Sequence, residues 1–213
     1  MKAHGVLAMV TAGIKASGPG GAGSNPLSRE RIRASLRRTP PELSASEGGL
    51  RPAAVLLPII ERAEPFALFT RRTDDLPSHA GQICFPGGRY HPDDESLIRT
   101  ALREMEEEVG LSPDLVEIAG FLDSYETLNT LFAILPVVGF LRPGFKLTVN
   151  PREVAEVFEA PLSYILDPKN HAIRSVERGG VMREFFAIDY GGHTIWGATA
   201  AMIVNLSERL GLR

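Results

Sequence analysis

Three glutamates, Glu104, Glu107 and Glu108, stand three and four residues apart within the segment from Glu95 to Leu111. At about 100° per residue on a helix, with Glu104 at zero, Glu108 falls near +40° and Glu107 near −60°. On the same wheel Leu97, Ala101, Met105, Ile98, Val109 and Leu102 cover about +20° to +160°, a continuous apolar stripe. The carboxylates therefore lie along one flank of a buried face, while Glu106 and Arg99 turn away from it. Like charges at those spacings repel. Their convergence makes chemical sense if a divalent cation neutralises them, and carboxylate oxygens are the donors that Mg²⁺ and Mn²⁺ prefer. A solvated acidic face is the competing reading, because most charge runs are surface features. Arg103, next to the cluster, can grip a carboxylate bidentately and fix its orientation.

The neighbouring elements must place that helix. Phe85-Pro86-Gly87-Gly88 closes a short strand over Gly81–Phe85, and a loop runs on to Glu95. Glycines there let the backbone approach a ligand, and a loop carbonyl can add an oxygen donor. The helix is expected over Glu95–Val109, ended by Gly110. Ala53–Ile60 is an apolar run suited to a buried strand. Phe66–Arg71, Glu117–Leu122 and Leu131–Phe140 also read as strands, with Pro136 marking the last as an edge or a bulge. Ala155–Leu166 reads as a short helix around a turn at Pro161. Glu184–Tyr190 and His193–Trp196 form a hairpin around Gly191-Gly192. Ala198–Leu210 is a closing helix stopped by Gly211. Strands and helices mix without regular alternation, so the fold class is α+β. Upstream, residues 1–27 read as a flexible tail, residues 28–49 as a short helix capped by Ser28 plus a loop, and residues 50–213 as the folded domain. Arg29, Arg31, Arg33, Arg37 and Arg38 read as a solvated face, with an anionic ligand as the lesser alternative.

Composition narrows the function. The chain has 213 residues, 44% hydrophobic and 23% charged, which fits one ordered domain with at most a small appendage. With 23 basic and 26 acidic residues its net charge is −3, unlike a general nucleic-acid binder. A single cysteine, Cys84, excludes an intrachain disulfide framework and a multi-cysteine zinc site, in keeping with a cytoplasmic protein. The longest apolar run is too short to span a bilayer. Val6–Val10, broken by Gly13 and Lys15, makes a poor signal peptide. The expected partner is a small molecule, with neither nucleic acid nor membrane involved, and no residue pattern signals an oligomeric state.

The segment resembles the Nudix box, G-x5-E-x7-R-E-U-x-E-E-x-G-U with U aliphatic. Glu95, Arg103, Glu104, Met105, Glu107, Glu108, Gly110 and Leu111 match in register, and the loop from Gly88 to Glu95 carries one extra residue. Upstream, Leu68, Thr70, Arg72, Thr73, Gly81 and Phe85-Pro86-Gly87-Gly88 are similar in spacing to a motif of the coenzyme A pyrophosphatases of this superfamily, with Pro77 where that motif has arginine. Ile195-Trp196-Gly197-Ala198-Thr199-Ala200 also looks like that subfamily.

The resemblance implies a Nudix-type α/β/α sandwich with a mixed central sheet. It implies a Mg²⁺- or Mn²⁺-dependent hydrolase that cuts the pyrophosphate bond of CoA or acyl-CoA to 3′,5′-ADP and (acyl-)4′-phosphopantetheine. Pyrophosphatases of other nucleoside diphosphate derivatives, such as ADP-ribose or NADH, are the alternative, and an inactive Nudix-fold binding module is a third. Glu104 and Glu108 are the expected metal ligands, with Glu107 a ligand or an activator of water and the Gly87 carbonyl completing the shell. Arg103 is expected to orient a glutamate, and Glu95 either acts through water or caps the helix. Glu153 and Glu156 are the candidates for general base, ahead of Glu126. Arg72 is the first choice for substrate phosphates, followed by Arg71 on the other side of its strand, His79, and Gly88, whose backbone can approach a ligand. Cys84 reads as a buried thiol and Trp196 as a core residue.

Overall fold

The computed structural model describes residues 25–43, 49–76, 79–127 and 131–213. The tail through residue 24, its candidate signal peptide and Pro77 lie outside the described residues. A first helix, α1 (Arg29–Ser35), precedes strands β1 (Arg51–Ile60), β2 (Phe66–Arg72), β3 (Ile83–Cys84) and β4 (Gly87–Arg89). Helix α2 (Leu97–Val109) follows, then β5 (Val116–Phe121), β6 (Tyr125–Thr127), β7 (Phe132–Leu141) and β8 (Val154–Pro161). The chain ends with α3 (Leu162–Ile165), β9 (Ala172–Arg178), β10 (Val181–Tyr190), β11 (His193–Trp196) and α4 (Ala198–Arg209).

Among the described residues β1 to β8 form one eight-stranded mixed sheet, and β9 to β11 form a smaller antiparallel one. The spine is the parallel pair β1–β7, which runs from Arg51 opposite Phe132 to Ile60 opposite Leu141. Side chains alternate along a strand, so β1 feeds two cores. Ala54, Leu56 and Ile60 pack with Ala101, Leu102, Met105 and Val109 of α2. Leu57 and Ile59 pack on the other face with Ile203 and Leu206 of α4. Burial on both faces is why β1 reads as an unbroken apolar run. The result is the expected α/β/α sandwich, with α2, among the described helices, packing on one side.

Three expectations change. Residues 154–161 are the strand β8, paired to β2 along its length, so only Leu162–Ile165 is helical. The apolar residues there fit either period, and pairing to β2 decides. Pro136 lies in a central strand, not on an edge, because β7 is flanked by β1 and β5. Its missing N–H falls where one partner gives way to another: β5 pairs β7 from Leu141 to Val137, and β6 takes over at Ile134. Trp196 is exposed and packs edge-on against Phe185 at 5.5 Å.

Of the five arginines read as a solvated face, Arg31, Arg33, Arg37 and Arg38 are exposed, and Arg29, Arg33 and Arg37 are also paired with carboxylates. Ser28 Oγ caps the helix by accepting from the Arg31 N–H, and Ile32 and Leu36 enter the core shared with α4. Arg29 is paired with Glu61 and Glu117, and Arg33 also with Glu117. The Arg29 guanidinium lies 4.4 Å from the Phe140 ring. Arg37 Nε donates to Asp123 at 2.7 Å, and Arg209 of α4 donates both to Asp123 and to the Ser35 carbonyl. Ile32→Ala should cost about 2–4 kcal/mol, measured by urea unfolding. No change in midpoint would mean that α1 is not part of the cooperative core.

Candidate active site

Helix α2 starts at Ser96, whose Oγ accepts from the Arg99 N–H at 3.3 Å, and stops at Gly110, which adopts the left-handed conformation that lets the chain turn. Glu95 is therefore neither the cap nor part of the helix; it is exposed. The carboxylate that serves Arg103 is Asp94, which the sequence reading passed over. Arg103 Nε and Nη2 donate to Asp94 Oδ1 and Oδ2 at 2.9 and 3.1 Å. The Thr100 hydroxyl adds a bond at 2.8 Å, and the His91 N–H another at 3.1 Å. The Arg103 contacts hold the Asp94 carboxyl far below the usual carboxylate range, against its own burial. The signal was present: five residues after Gly88 the next position is Asp94, not Glu95.

The same guanidinium reaches the metal-type carboxylates. Arg103 Nη1 lies 2.8 Å from Glu104 Oε1 and 3.0 Å from Glu107 Oε2, and Nη2 donates to the Arg89 carbonyl at 3.3 Å. One arginine thus ties the loop, the helix and the strand β4 together. Glu104 is largely buried, which pushes its carboxyl up, with Arg103 opposing. Glu107 stays half exposed.

Glu108 is the most constrained member. Its residue is 1% exposed, within the apolar stripe of α2. Burial drives its carboxyl up to about 8, with Arg72 opposing and Glu104 and Glu153 adding to the rise. Arg72 Nη1 stands 3.8 Å from Glu108 Oε1, while Glu108 Oε2 and Arg72 Nε are buried without a hydrogen-bond partner. The Gly87 backbone lies beside the same carboxylate. Among the described residues no three acidic, His or Cys side chains are already closed around a cation position; two arginines occupy the carboxylates instead. The donor set nonetheless fits a divalent cation, since an orphaned carboxylate oxygen and a second buried carboxylate require a positive charge that the arginines only partly supply. Glu104 and Glu108 would hold it, with Glu107 alongside.

Close approach of β4 to the helix explains both glycines. A Cβ on Gly88 would lie 2.4 Å from the Glu104 carboxyl carbon, and one on Gly87 would meet the Ala54 carbonyl at 2.4 Å. On the far side of the helix, residues 148–154 dock onto its end through bonds from Thr148 N to Val109 O and from Asn150 N to Glu108 O, each 2.9 Å. Asn150 Nδ2 donates to Glu153 Oε1 at 3.1 Å, and Glu153 acts electrostatically on both Glu104 and Glu108.

Not every expected residue joins this group. Glu156 points to Arg71 at 3.6 Å and to His193 at 3.4 Å, and His193 stacks on Phe158 at 4.0 Å. Arg71 also pairs with Asp74 at 3.2 Å. His79 is exposed and bonded to Gln82 at 2.7 Å. Glu126 is exposed on β6 and paired across to Ala133. Cys84 sits beside Thr70 Oγ1 at 3.4 Å, and burial pushes its thiol up to about 11, which makes it inert. Asn150, like Asp94, was not foreseen; no motif pointed to it.

A helix carrying Arg-Glu-x-x-Glu-Glu, packed on a mixed sheet and preceded by a Gly-Gly strand, belongs to one class of enzyme. The NUDIX domain family model matches residues 49–176, and the chain is a member of the Nudix hydrolase family. It is 42% identical over 178 residues to the "Uncharacterized Nudix hydrolase NudL" of Photorhabdus laumondii, covering 84% of this chain and 94% of that one. A protein of the same description from Yersinia enterocolitica is 41% identical over 160 residues, covering 75% and 82%. Among solved structures, a C. elegans Ap4A hydrolase aligns at 19% identity over 54% of this chain and 82% of its own, with a TM-score of 0.45. None of the described helices is long and apolar enough to cross a membrane.

The Glu108 carboxyl rises from 4.5 to about 8 on folding, so the folded state binds the extra proton. In EDTA, stability is then greatest below pH 4.5 as far as this group is concerned, and is lost as pH rises through about 8, by a few kcal/mol at most. Glu108→Gln should flatten that slope in melting curves from pH 5 to 9; an unchanged slope would refute the assignment. Gly87→Ala should destabilise by about 1–3 kcal/mol because its neighbour is backbone. Gly88→Ala should leave the melting temperature nearly unchanged and instead weaken Mn²⁺ binding, measured by calorimetry, because it displaces the movable Glu104 carboxylate.

Proposed function

We propose that this Nudix hydrolase cuts the diphosphate of CoA or acyl-CoA, giving 3′,5′-ADP and (acyl-)4′-phosphopantetheine, in the cytoplasm and with Mg²⁺ or Mn²⁺. The observation that carries the reading is Arg72, from the upstream motif, with its guanidinium 3.8 Å from Glu108 and its Nε unpartnered. A guanidinium so placed matches a phosphate bound against the carboxylate cluster. Gly88, the fourth expected substrate contact, is pressed against the Glu104 carboxylate instead. Arg71 and His79 are the lesser phosphate contacts in this reading, since Arg71 is already paired with Asp74 and Glu156 and His79 is bonded to Gln82.

A bound divalent cation supplies charge neutralisation on the diphosphate oxygens. The protein supplies orientation and a proton acceptor. Arg103 positions Glu104 and Glu107. Glu153, held by Asn150, takes a proton from the water that attacks phosphorus, while the bond to the bridging oxygen breaks and the departing phosphate keeps the electron pair. Glu107 is the second candidate for this proton, and Glu156 the third, because it faces away toward Arg71 and His193.

Pro77, where the motif has arginine, favours a second reading in which the substrate is ADP-ribose or NADH. Product analysis on CoA, acetyl-CoA, ADP-ribose and NADH with either metal separates the two. Release of 3′,5′-ADP from CoA is expected. Glu153→Gln and Glu107→Gln should each lower kcat, the true base by about 10²–10⁴-fold. Turnover of ADP-ribose or NADH alone would install the second reading, and no turnover at all would favour a binding module.

A further inference from the structure

Residues 87–89 form a strand one backbone thick. Gly88 faces α2, where its Cα hydrogen stands against the Glu104 carboxylate. Alternation then turns Arg89 to the opposite face of the sheet. Arg89 pairs with Ala53, and Arg51, two residues earlier on β1, pairs with Phe132 of β7. Both guanidiniums gather on that one ring: Arg51 Cζ lies 4.5 Å from the Phe132 centroid and Arg89 Cζ 5.3 Å. Arg89 is exposed and makes no ion pair among the described residues. This contrasts with Arg29, Arg33 and Arg103, which face carboxylates. An aromatic face attracts a cation but does not cancel its charge. Arg89 thus brings to that ring a positive charge that no carboxylate among the described residues answers.

We propose that Arg89 and Arg51, gathered on Phe132, form a subsite for a phosphomonoester carried by the nucleoside half of the substrate, separate from the diphosphate that is cut. The diphosphate already has the carboxylate cluster and Arg72. A second anion-binding position, one strand away and on the other face, serves an additional dianionic group, and paired guanidiniums match a phosphomonoester in charge and in hydrogen-bond geometry. The inference rests on the substrate being a nucleoside diphosphate derivative. Within that class it selects members bearing an extra phosphate on the ribose, as CoA does and ADP-ribose and NADH do not. The carbonyl of Arg89 is bonded to Arg103, so the residue that reads the extra phosphate is joined through its backbone to the group that orients Glu104 and Glu107.

The test compares ligands that differ only in that phosphate. Binding of adenosine 3′,5′-bisphosphate and of AMP is measured by calorimetry, and the kcat/KM of CoA against 3′-dephospho-CoA by product release. The variants are Arg89→Ala, Arg89→Lys and, as a control for lost charge, Arg62→Ala, whose guanidinium pairs with Glu159 elsewhere on the sheet. The wild type should prefer the bisphosphate and CoA. Arg89→Ala should shrink that preference about tenfold, chiefly through KM, with Arg89→Lys intermediate and Arg62→Ala like the wild type. Equal loss for both members of each pair, or no wild-type preference, would overturn the subsite. If the protein cuts ADP-ribose but not CoA, the CoA reading fails, and the bisphosphate-against-AMP comparison alone decides whether the subsite exists.

Discussion

A carboxylate buried on the apolar face of a helix must find positive charge or give up its own. Glu108 imposes that requirement on the middle of this molecule. Its place in the stripe of α2 that packs on β1 and β7 is why Arg72 reaches across from β2, and why Glu153 is brought up on a loop docked to the end of the same helix. The Gly87-Gly88 strand presses close because any side chain there would strike β1 or the Glu104 carboxylate. Stability is given up at this point so that a charge-hungry site exists, a pattern common where function sets the local sequence.

Arginine is used in two ways. Arg103 and Arg29 act as fasteners: Arg103 holds Asp94, Glu104 and Glu107 together, and Arg29 joins Glu61 to Glu117, the forked guanidinium fixing direction as well as distance. Arg72 and Arg89 are different. Arg72 keeps a buried nitrogen unpartnered, and Arg89 rests on an aromatic ring instead of a carboxylate. Arg72 faces Glu108 within the carboxylate cluster and Arg89 turns to the other face of the sheet, and both differ from Arg29 and Arg33, whose charges are answered by Glu61 and Glu117.

Much of this was legible in the chain. Helix α2 was readable because periodicity, a stopping glycine and the charge pattern agree, and β1 because a strand buried on both faces leaves an apolar run. The site was less so. Arg103 was expected to orient a glutamate, and only the bond geometry around it shows that Asp94 is a partner as well. β8 was read as helix because its apolar residues suit either period and its true partner, β2, is some ninety residues away. Pro136 looked like an edge marker because a central strand that changes partners midway has no local signature. Asn150 and Arg89 carry no motif at all; only tertiary placement brings Asn150 to Glu153 and Arg89 to Phe132.

The bonds from Arg209 to the Ser35 carbonyl and to Asp123 join the last helix to the first across 174 residues of chain. The spine pair β1–β7 is likewise non-local. During synthesis, therefore, α1 and β1 leave the ribosome long before the surfaces that cover them exist. The face of β1 that α2 covers can close first, while the face that α4 covers stays open until the last helix has emerged, so the late stage of synthesis is the one in which apolar surface most needs protection.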